Sequence, residues 1–187
     1  MRLLYILPGS LSRTELGVRE IERRRGILQR LAAPGTEVGI TDVPDGPTSI
    51  ESAYEEYLSV PGTLQRVQAA ERDGYDAAIV GCFGDPGVDA ARELVEMCVV
   101  GPAEASMLFA CTLGHSFSVI TVLESVVAPL RHLAHRIGVA QKVASVRGWI
   151  SRSWIWGRTA RAAWAAWSRL GAERSTRTGR MPSCWDV

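Results

Sequence analysis

Short apolar runs alternate with amphipathic stretches through the first 148 residues of the chain. The runs are rich in Val, Ile and Leu, which predicts strands at 3–8, 37–43, 76–82, 98–101, 117–123 and 142–147. Between them, apolar residues recur near the 3.6-residue helical period, which predicts helices at 14–31, 50–72, 86–97, 103–113 and 123–136. Strands that alternate with helices indicate an α/β fold in which helices flank a parallel sheet.

Ligands of such sheets bind beyond the carboxyl ends of the strands, so the loops after Leu7, Val80 and Val122 are candidate site positions. The second of these loops is the most informative, because it contains the segment GCFGDPG, residues 81–87. Its sequence is typical of a connection from a strand to a helix.

The cysteine in this loop is a candidate base or nucleophile. Asp85 is the predicted N-cap of the next helix, with Pro86 at the first helical position, which brings Cys82 near the positive end of the helix. This environment predicts a lowered thiol pKa for Cys82. The alternative interpretation is a buried cysteine that only closes the strand.

Composition and charge change abruptly near residue 148. All six tryptophans of the 187-residue chain follow that position. Residues 1–148 carry 14 basic and 18 acidic side chains, a net charge of −4, whereas residues 149–187 carry seven arginines against Glu173 and Asp186. We therefore expect residues 149–187 to be a separate segment.

Other compositional features narrow the class of protein. With 47% apolar and 22% charged residues and a net charge of +1, the chain as a whole is typical of a globular protein and not of a disordered or polyanion-binding one. The apolar start is too short to span a membrane and has no signal cleavage site, which predicts a cytoplasmic protein. The four cysteines form no CxxC pair, so we expect reduced thiols and no metal site.

Three segments resemble the hydantoin racemase branch of the aspartate/glutamate racemase family: GCFGDPG at 81–87, VVGPAEASM at 99–107 and LGHSFSVITVL at 113–123. The resemblance covers about residues 1–148. It implies two similar α/β lobes with parallel sheets, which face each other across a cleft with one cysteine on each side. It also implies that no cofactor is used. The expected domains are a first lobe at 1–97 with Cys82, and a partial second lobe at 98–148.

The resemblance also implies a reaction and a set of site residues. A thiolate removes a proton from one face of a carbon next to a carbonyl, and a thiol returns a proton to the other face. Cys82 is the expected catalytic residue, and backbone amides from Gly81 to Gly84 are expected to stabilise the enolate oxygen. Gly81, Phe83, Gly84 and Thr121 are the expected substrate contacts. A local hydrogen-bonding role is the alternative for Thr121.

The second cysteine of the family is expected in a Leu-Gly-Cys context after another apolar strand, and Cys184 does not fit this pattern. A shifted reading frame offers an explanation for the absence of this cysteine. In that frame the third base of each codon is read with the first two bases of the next codon. In this shifted frame Trp149-Ile150 must encode Asp, Cys184-Trp185 must encode Leu and Trp185-Asp186 must encode Gly.

From Arg177 onward the shifted frame permits Asp-Gly-Ala-Asp-Ala-Ile-Val-Leu-Gly-Cys, which is similar to residues 73–82 of the same chain. A one-base deletion, or an equivalent sequencing error, near Gly148 is the resulting hypothesis. It predicts that residues 149–187 are out of frame and that the strand with the second cysteine is absent.

The predicted function is a cofactor-independent racemase that acts on a small molecule, a 5-substituted hydantoin or an amino-acid derivative. The chain as written is expected to be inactive, with no nucleic-acid or membrane partner, and homo-oligomerisation is left open. Within the same fold, an amino-acid racemase, a maleate isomerase or an arylmalonate decarboxylase is an alternative. A non-catalytic protein that binds membrane or nucleic acid through its basic, Trp-rich tail is another.

Overall fold

The computed structural model of the chain describes residues 1–150, except for the side chains of the last two. The strands are β1 Arg2–Leu7, β2 Glu37–Asp42, β3 Ala77–Val80, β4 Cys98–Val100, β5 Phe117–Leu123 and β6 Val143–Ile150. The helices are α1 Glu15–Leu31, α2 Ala53–Arg72, α3 Val88–Leu94, α4 Pro102–Leu113 and α5 Val127–Arg136. The predicted α/β fold with parallel sheets flanked by helices is confirmed.

The described residues divide into two compact units, the first of which is Met1–Phe109 and the second of which begins at Ala110. In the first unit four parallel strands form a sheet in the order β2-β1-β3-β4. Alternate residues of the strands face α2 and α3, and these helices bury the core of the unit. The buried core consists of Leu4, Ile6, Val43, Val67, Ala70, Ala78, Val80, Val88, Ala91 and Val99.

Strand β4 belongs to the first sheet, although the sequence assigns residues 98–148 to a second lobe. Its residues pair in parallel with β3, from Ala77 opposite Cys98 to Ile79 opposite Val100. Val99 is buried in the core of the first unit because it lies on the sheet face that α3 covers. The structural boundary between the units therefore lies at residues 109 and 110.

Within the described part of the second unit, β5 and β6 form a parallel pair and α5 connects them. The register of the pair shifts between Phe117 and Ser118, after which the Ser145 hydroxyl donates a 3.0 Å hydrogen bond to the Ser118 hydroxyl. Buried apolar residues from the strands and the helix form its core; they are Val119, Leu123, Val127, Leu130, Leu133, Ala134, Val139 and Val146. Residues 151–187, which are all but the first two residues of the proposed out-of-frame tail, lie outside the described residues.

Helix starts follow from local capping. The Thr14 hydroxyl accepts a 3.0 Å hydrogen bond from the Gly17 amide at the start of α1. At the start of α2 the Ser52 hydroxyl accepts from the Glu55 amide, and the Glu55 carboxylate accepts from the Ser52 hydroxyl at 2.9 Å. These side chains satisfy amides that have no partner inside the helix, as polar residues at this position do in general. No helix within residues 1–150 has the length and apolarity to cross a membrane.

Candidate functional site

The loop with Cys82 lies where the order of the first sheet reverses. Strands β1 and β3 are neighbours, whereas β2 lies on the outer side of β1 and β4 lies on the outer side of β3. In a parallel sheet the connections leave such a pair of strands toward opposite faces, which opens a crevice at their carboxyl ends. Cys82 follows β3 at this edge, and the loop from Pro8 follows β1.

Hydrogen bonds of the backbone fix the Cys82 loop at both ends. The Gly81 amide donates to the Ile6 carbonyl of β1 at 2.7 Å, which continues the sheet by one residue beyond β3. The Asp85 amide donates to the Cys82 carbonyl at 3.1 Å, which closes a turn. The Gly84 amide donates to the Cys82 sulfur. Cys82 is partly buried, and Phe83 is exposed beside it.

The electrostatic environment of Cys82 differs from the prediction. Burial raises the pKa of the Cys82 thiol to about 11, and the hydrogen bond from Gly84 only partly offsets this. The carboxylates of Glu56 and Asp85 raise the pKa further, whereas the Arg24 guanidinium lowers it. The prediction of a lowered thiol pKa is therefore wrong, because loss of hydration and two nearby carboxylates outweigh the favourable groups.

Asp85 does not cap the helix that follows it. Helix α3 begins at Val88, and its N-cap is Gly87, whose φ is 72° and which has no side chain to form a cap. The predicted helix start at Pro86 is therefore wrong. Asp85 itself adopts a left-handed φ of 53°, a conformation that Asp tolerates better than most residues.

The Asp85 carboxylate instead caps α4 from a distance in sequence. Its two oxygens accept hydrogen bonds from the Ala103 amide at 2.9 Å and from the Glu104 amide at 2.7 Å. A side chain on Gly101 would overlap with the Asp85 carboxyl group. Gly101 precedes α4 at the position where a side chain usually caps the helix, and it has no side chain. The Asp85 carboxylate occupies this space instead.

The backbone amides of the Cys82 loop are not equally available to a ligand. The amides of Gly81, Cys82 and Gly84 donate to the Ile6 carbonyl, the Val80 carbonyl and the Cys82 sulfur, respectively. Within residues 1–150 the Phe83 amide has no hydrogen-bond partner. Of the predicted set from Gly81 to Gly84, Phe83 thus presents the available donor next to the thiol.

Comparisons with known proteins show the family of the chain. The sequence matches the model of the family described as Asp/Glu/hydantoin racemase over residues 19–169. The chain belongs to the Asp/Glu/hydantoin racemase family. It is 40% identical to a hydantoin racemase of Pseudomonas sp. (strain NS671) over 116 residues, which are 62% of this chain and 47% of that protein.

Other members of the family give similar results. A hydantoin racemase of Paenarthrobacter aurescens is 33% identical over 148 residues, 79% of this chain and 60% of the relative. The solved structure of an allantoin racemase from Klebsiella pneumoniae matches with a TM-score of 0.80 and 29% identity, and the match covers 95% of this chain and 70% of that chain. The chain spans about half to three fifths of the length of these hydantoin racemases.

The remaining predicted residues lie elsewhere in this member of the family. Thr121 lies in β5 of the second unit, half-buried and opposite Gly148 of β6 in the strand register. Cys98 is exposed on β4, and Cys111 is partly buried in α4. No group of three or more His, Cys, Asp or Glu side chains within residues 1–150 is arranged to hold a metal ion.

Residues that the sequence analysis missed surround Cys82 from other elements. Tyr5 of β1 contacts the loop at Gly81, and Arg24 of α1 and Glu56 of α2 act on the thiol through their charges. Alternation along β1 places Tyr5 on the face opposite to the core residue Ile6, which is the one signal of its position in the sequence. Nothing local marks Arg24 or Glu56, because each lies far from Cys82 in sequence.

Proposed function

We propose that the chain derives from a cofactor-independent racemase of small molecules that inverts a carbon next to a carbonyl by proton transfer between two cysteines. Hydantoins with a substituent at C5 are the proposed substrates, and allantoin, a hydantoin with a ureido group at C5, is one of them. The observation that carries the proposal is the position of Cys82 at the crevice of the first sheet in a chain of this family.

Cys82 is the proposed catalytic residue of the first unit. Its raised pKa of about 11 keeps the thiol protonated at neutral pH, so Cys82 is the acid in the resting form. A second cysteine, as thiolate, removes the C5 proton from one face of the substrate. Cys82 then gives its proton to the other face of the enolate and becomes a thiolate, which accepts the Gly84 hydrogen bond. The opposite enantiomer uses the same steps in reverse.

The Phe83 amide is the proposed donor to the enolate oxygen. Charge develops on the oxygen next to C5 when the proton leaves, and a fixed backbone amide stabilises such charge without reorganisation. The Phe83 side chain is 38% exposed, which makes it available to cover the substituent of a substrate. Gly81, Gly84 and Thr121 complete the proposed substrate contacts.

The second cysteine is the proposed missing component of this chain. The shifted frame after Gly148 permits a strand that ends in Leu-Gly-Cys, which is similar to the Val80-Gly81-Cys82 end of β3. We expect negligible racemisation by the 187-residue chain because one thiol cannot both remove a proton from one face and return it to the other.

The first test is the nucleotide sequence of the gene from codon 140 onward, read from genomic DNA. If one additional base restores the frame through Leu-Gly-Cys, the restored protein is expressed and supplied with single enantiomers of 5-substituted hydantoins and of allantoin. Racemisation is followed by polarimetry, and C5 proton exchange is followed by NMR in D2O. Amino acids, maleate and arylmalonates in the same panel test the related reactions.

Matched variants of the restored protein assign the roles of the thiols. Cys82→Ser is expected to abolish racemisation and to retain C5 exchange for the enantiomer that the second cysteine deprotonates. Cys98→Ser changes an exposed thiol on β4 and is expected to retain activity. Full racemase activity of Cys82→Ser, or rapid racemisation by the 187-residue chain, would contradict the proposal. Codons that do not spell the second strand would contradict the frame hypothesis.

A further inference from the structure

Tyr5 lies directly against the peptide that precedes Cys82. It is opposite Ile79 in the pairing of β1 with β3, and Gly81 follows two residues later on the same face of the sheet. A side chain on Gly81 would overlap with the Tyr5 ring, with its Cβ only 2.6 Å from the phenol oxygen. The absence of a side chain at Gly81 therefore lets the phenol pack against the Cys82 loop.

Arg24 of α1 joins this cluster and is held by Glu20 one turn earlier. Arg24 Nε lies 2.8 Å from Glu20 Oε1, and Arg23 donates two hydrogen bonds of 2.7 Å to the same carboxylate. The two arginines differ in burial, since the side chain of Arg23 is 61% exposed and that of Arg24 is 29% exposed. Arg24 contacts the sheet through a hydrogen bond to the Tyr5 phenol of β1.

The phenol, the guanidinium and the thiol act on one another. Burial raises the pKa of the Tyr5 phenol, whereas the charge of Arg24 and its hydrogen bond to the phenol lower it. Cys82 also acts on the phenol. The charged groups that face the thiol are Glu56 from α2, Asp85 from the loop itself and Arg24 from α1. Among these groups Arg24 is the cation.

We propose that Tyr5 and Arg24 are positioning residues for the Cys82 thiol. The Tyr5 ring supports the peptide between Gly81 and Cys82, and Arg24, fixed by Glu20, supplies the positive charge that stabilises a thiolate at Cys82. The role in racemisation rests on the proposed function. The effect on the thiol is a property of the first unit, and it is measurable in the 187-residue chain.

The test uses the full 187-residue chain with Cys98→Ser, Cys111→Ser and Cys184→Ser, so that Cys82 is the single thiol. The rate of alkylation by iodoacetamide is measured by mass spectrometry from pH 7 to pH 11. The variant Arg24→Gln removes the charge. The matched control is Arg23→Gln, which also breaks an ion pair with Glu20 but leaves the cation near Cys82 in place.

Arg24→Gln is expected to slow alkylation at pH 8 by about threefold or more, because half a pKa unit changes the thiolate fraction by about threefold. Arg23→Gln is expected to change the rate by less than about 1.5-fold, and Arg24→Lys is expected to restore most of the rate. Tyr5→Phe keeps the ring and removes the hydroxyl that contacts Arg24, so an intermediate rate is expected. A purely structural role of the Glu20 ion pairs predicts equal effects of both arginine variants, which would overturn the proposal.

Unfolding and the proposed effect change the alkylation rate of Cys82 in opposite directions. An unfolded chain exposes Cys82 to water and restores an ordinary thiol pKa, so its alkylation is faster and not slower. An unchanged profile for Arg24→Gln with a native circular dichroism spectrum would refute the role of Arg24. If Arg24→Gln unfolds, the alkylation rates of Arg24→Lys and Tyr5→Phe are compared with that of the parent chain instead. Unchanged rates of both Arg24→Lys and Tyr5→Phe would refute a role of the Tyr5 hydroxyl.

The kinetic consequence separates this inference from the proposed function. In the frame-restored protein, Arg24→Gln is expected to lower kcat for hydantoin racemisation with little change in KM, because the residue acts on the thiol and not on the substrate. A restored protein without racemase activity whose alkylation profile still depends on Arg24 would refute the proposed function alone. An active racemase in which neither the pH profile of Cys82 alkylation nor kcat depends on Arg24 would refute this inference alone.

Discussion

Cys82 follows a parallel strand, β3, and Thr121 lies within another, β5, but neighbouring residues support the two positions in different ways. The Cys82 loop is bound to β1 through Gly81 and to α4 through Asp85, all within the first unit. Thr121 lies in a strand whose single partner within residues 1–150 is β6, and it faces Gly148, where the composition of the chain changes. The Cys82 loop is therefore fixed by residues before 110, whereas the position of Thr121 depends on pairing with the strand at the composition break.

Of the variants that test the support of the Cys82 loop, Asp85→Ala is expected to lower stability most. It leaves the buried amide of Ala103 and the partly buried amide of Glu104 without their charged acceptor, which is expected to lower the free energy of unfolding by about 4 kcal/mol. Urea unfolding followed by circular dichroism measures the change. The control Asp89→Ala affects a solvent-exposed ion pair with Arg92 and is expected to cost less than about 0.5 kcal/mol. Equal costs for the two variants would mean that the carboxylate of Asp85 does not support the loop.

A matched pair of valines compares the cores of the two units. Val80 of β3 is fully buried between neighbouring strands and helices, whereas the strand of Val119, β5, pairs with β6 alone within residues 1–150. Val80→Ala is expected to cost about 2.5 kcal/mol and Val119→Ala about 1 kcal/mol, because Val119 loses fewer contacts in the smaller core that residues 110–148 form. Urea unfolding of both variants tests this order. A larger cost for Val119→Ala would show that the second unit is the better packed of the two.

The smallest expected effect is a dependence of stability on alkaline pH. Because the pKa of Cys82 is raised to about 11 in the folded protein, the folded state retains its proton more tightly than the unfolded state. This contribution is fully present below the ordinary thiol pKa and is lost as the pH rises through about 11. We expect a fall of about 1 kcal/mol between pH 9 and pH 11, since water partly screens the site.

Cys82→Ser tests the origin of this pH dependence. Thermal melts at several pH values, in the parent chain and in the variant, give the slope of stability with pH. The fall between pH 9 and pH 11 is expected to be smaller in the variant, because serine does not ionise in this range, whereas the buried Tyr5 phenol, whose pKa is also raised, still does. A slope that persists unchanged in Cys82→Ser would assign the effect to other groups.

The local pattern of the sequence was sufficient for the elements and for the place of Cys82. Strands such as β1 and β5 are mostly apolar, and the loop at 81–87 follows β3 as predicted. The fate of Asp85 was not predictable, because the capped helix begins 17 residues later and Gly101, which makes room for the carboxylate, has no local signature. The sign of the thiol pKa shift was missed for a similar reason, since Glu56 and the burial of Cys82 depend on tertiary packing.

The cap that Asp85 gives to α4 has an evolutionary consequence. Because the carboxyl group of Asp85 occupies the space in which a side chain at Gly101 would lie, Gly101 cannot accept a side chain while Asp85 is present, and Asp85 cannot be lost without loss of the cap. Only one of the two positions can supply the side chain that caps α4. Relatives that carry a capping side chain at the position of Gly101 are expected to carry a smaller residue at the position of Asp85, so the loop of the thiol and the next helix must change together.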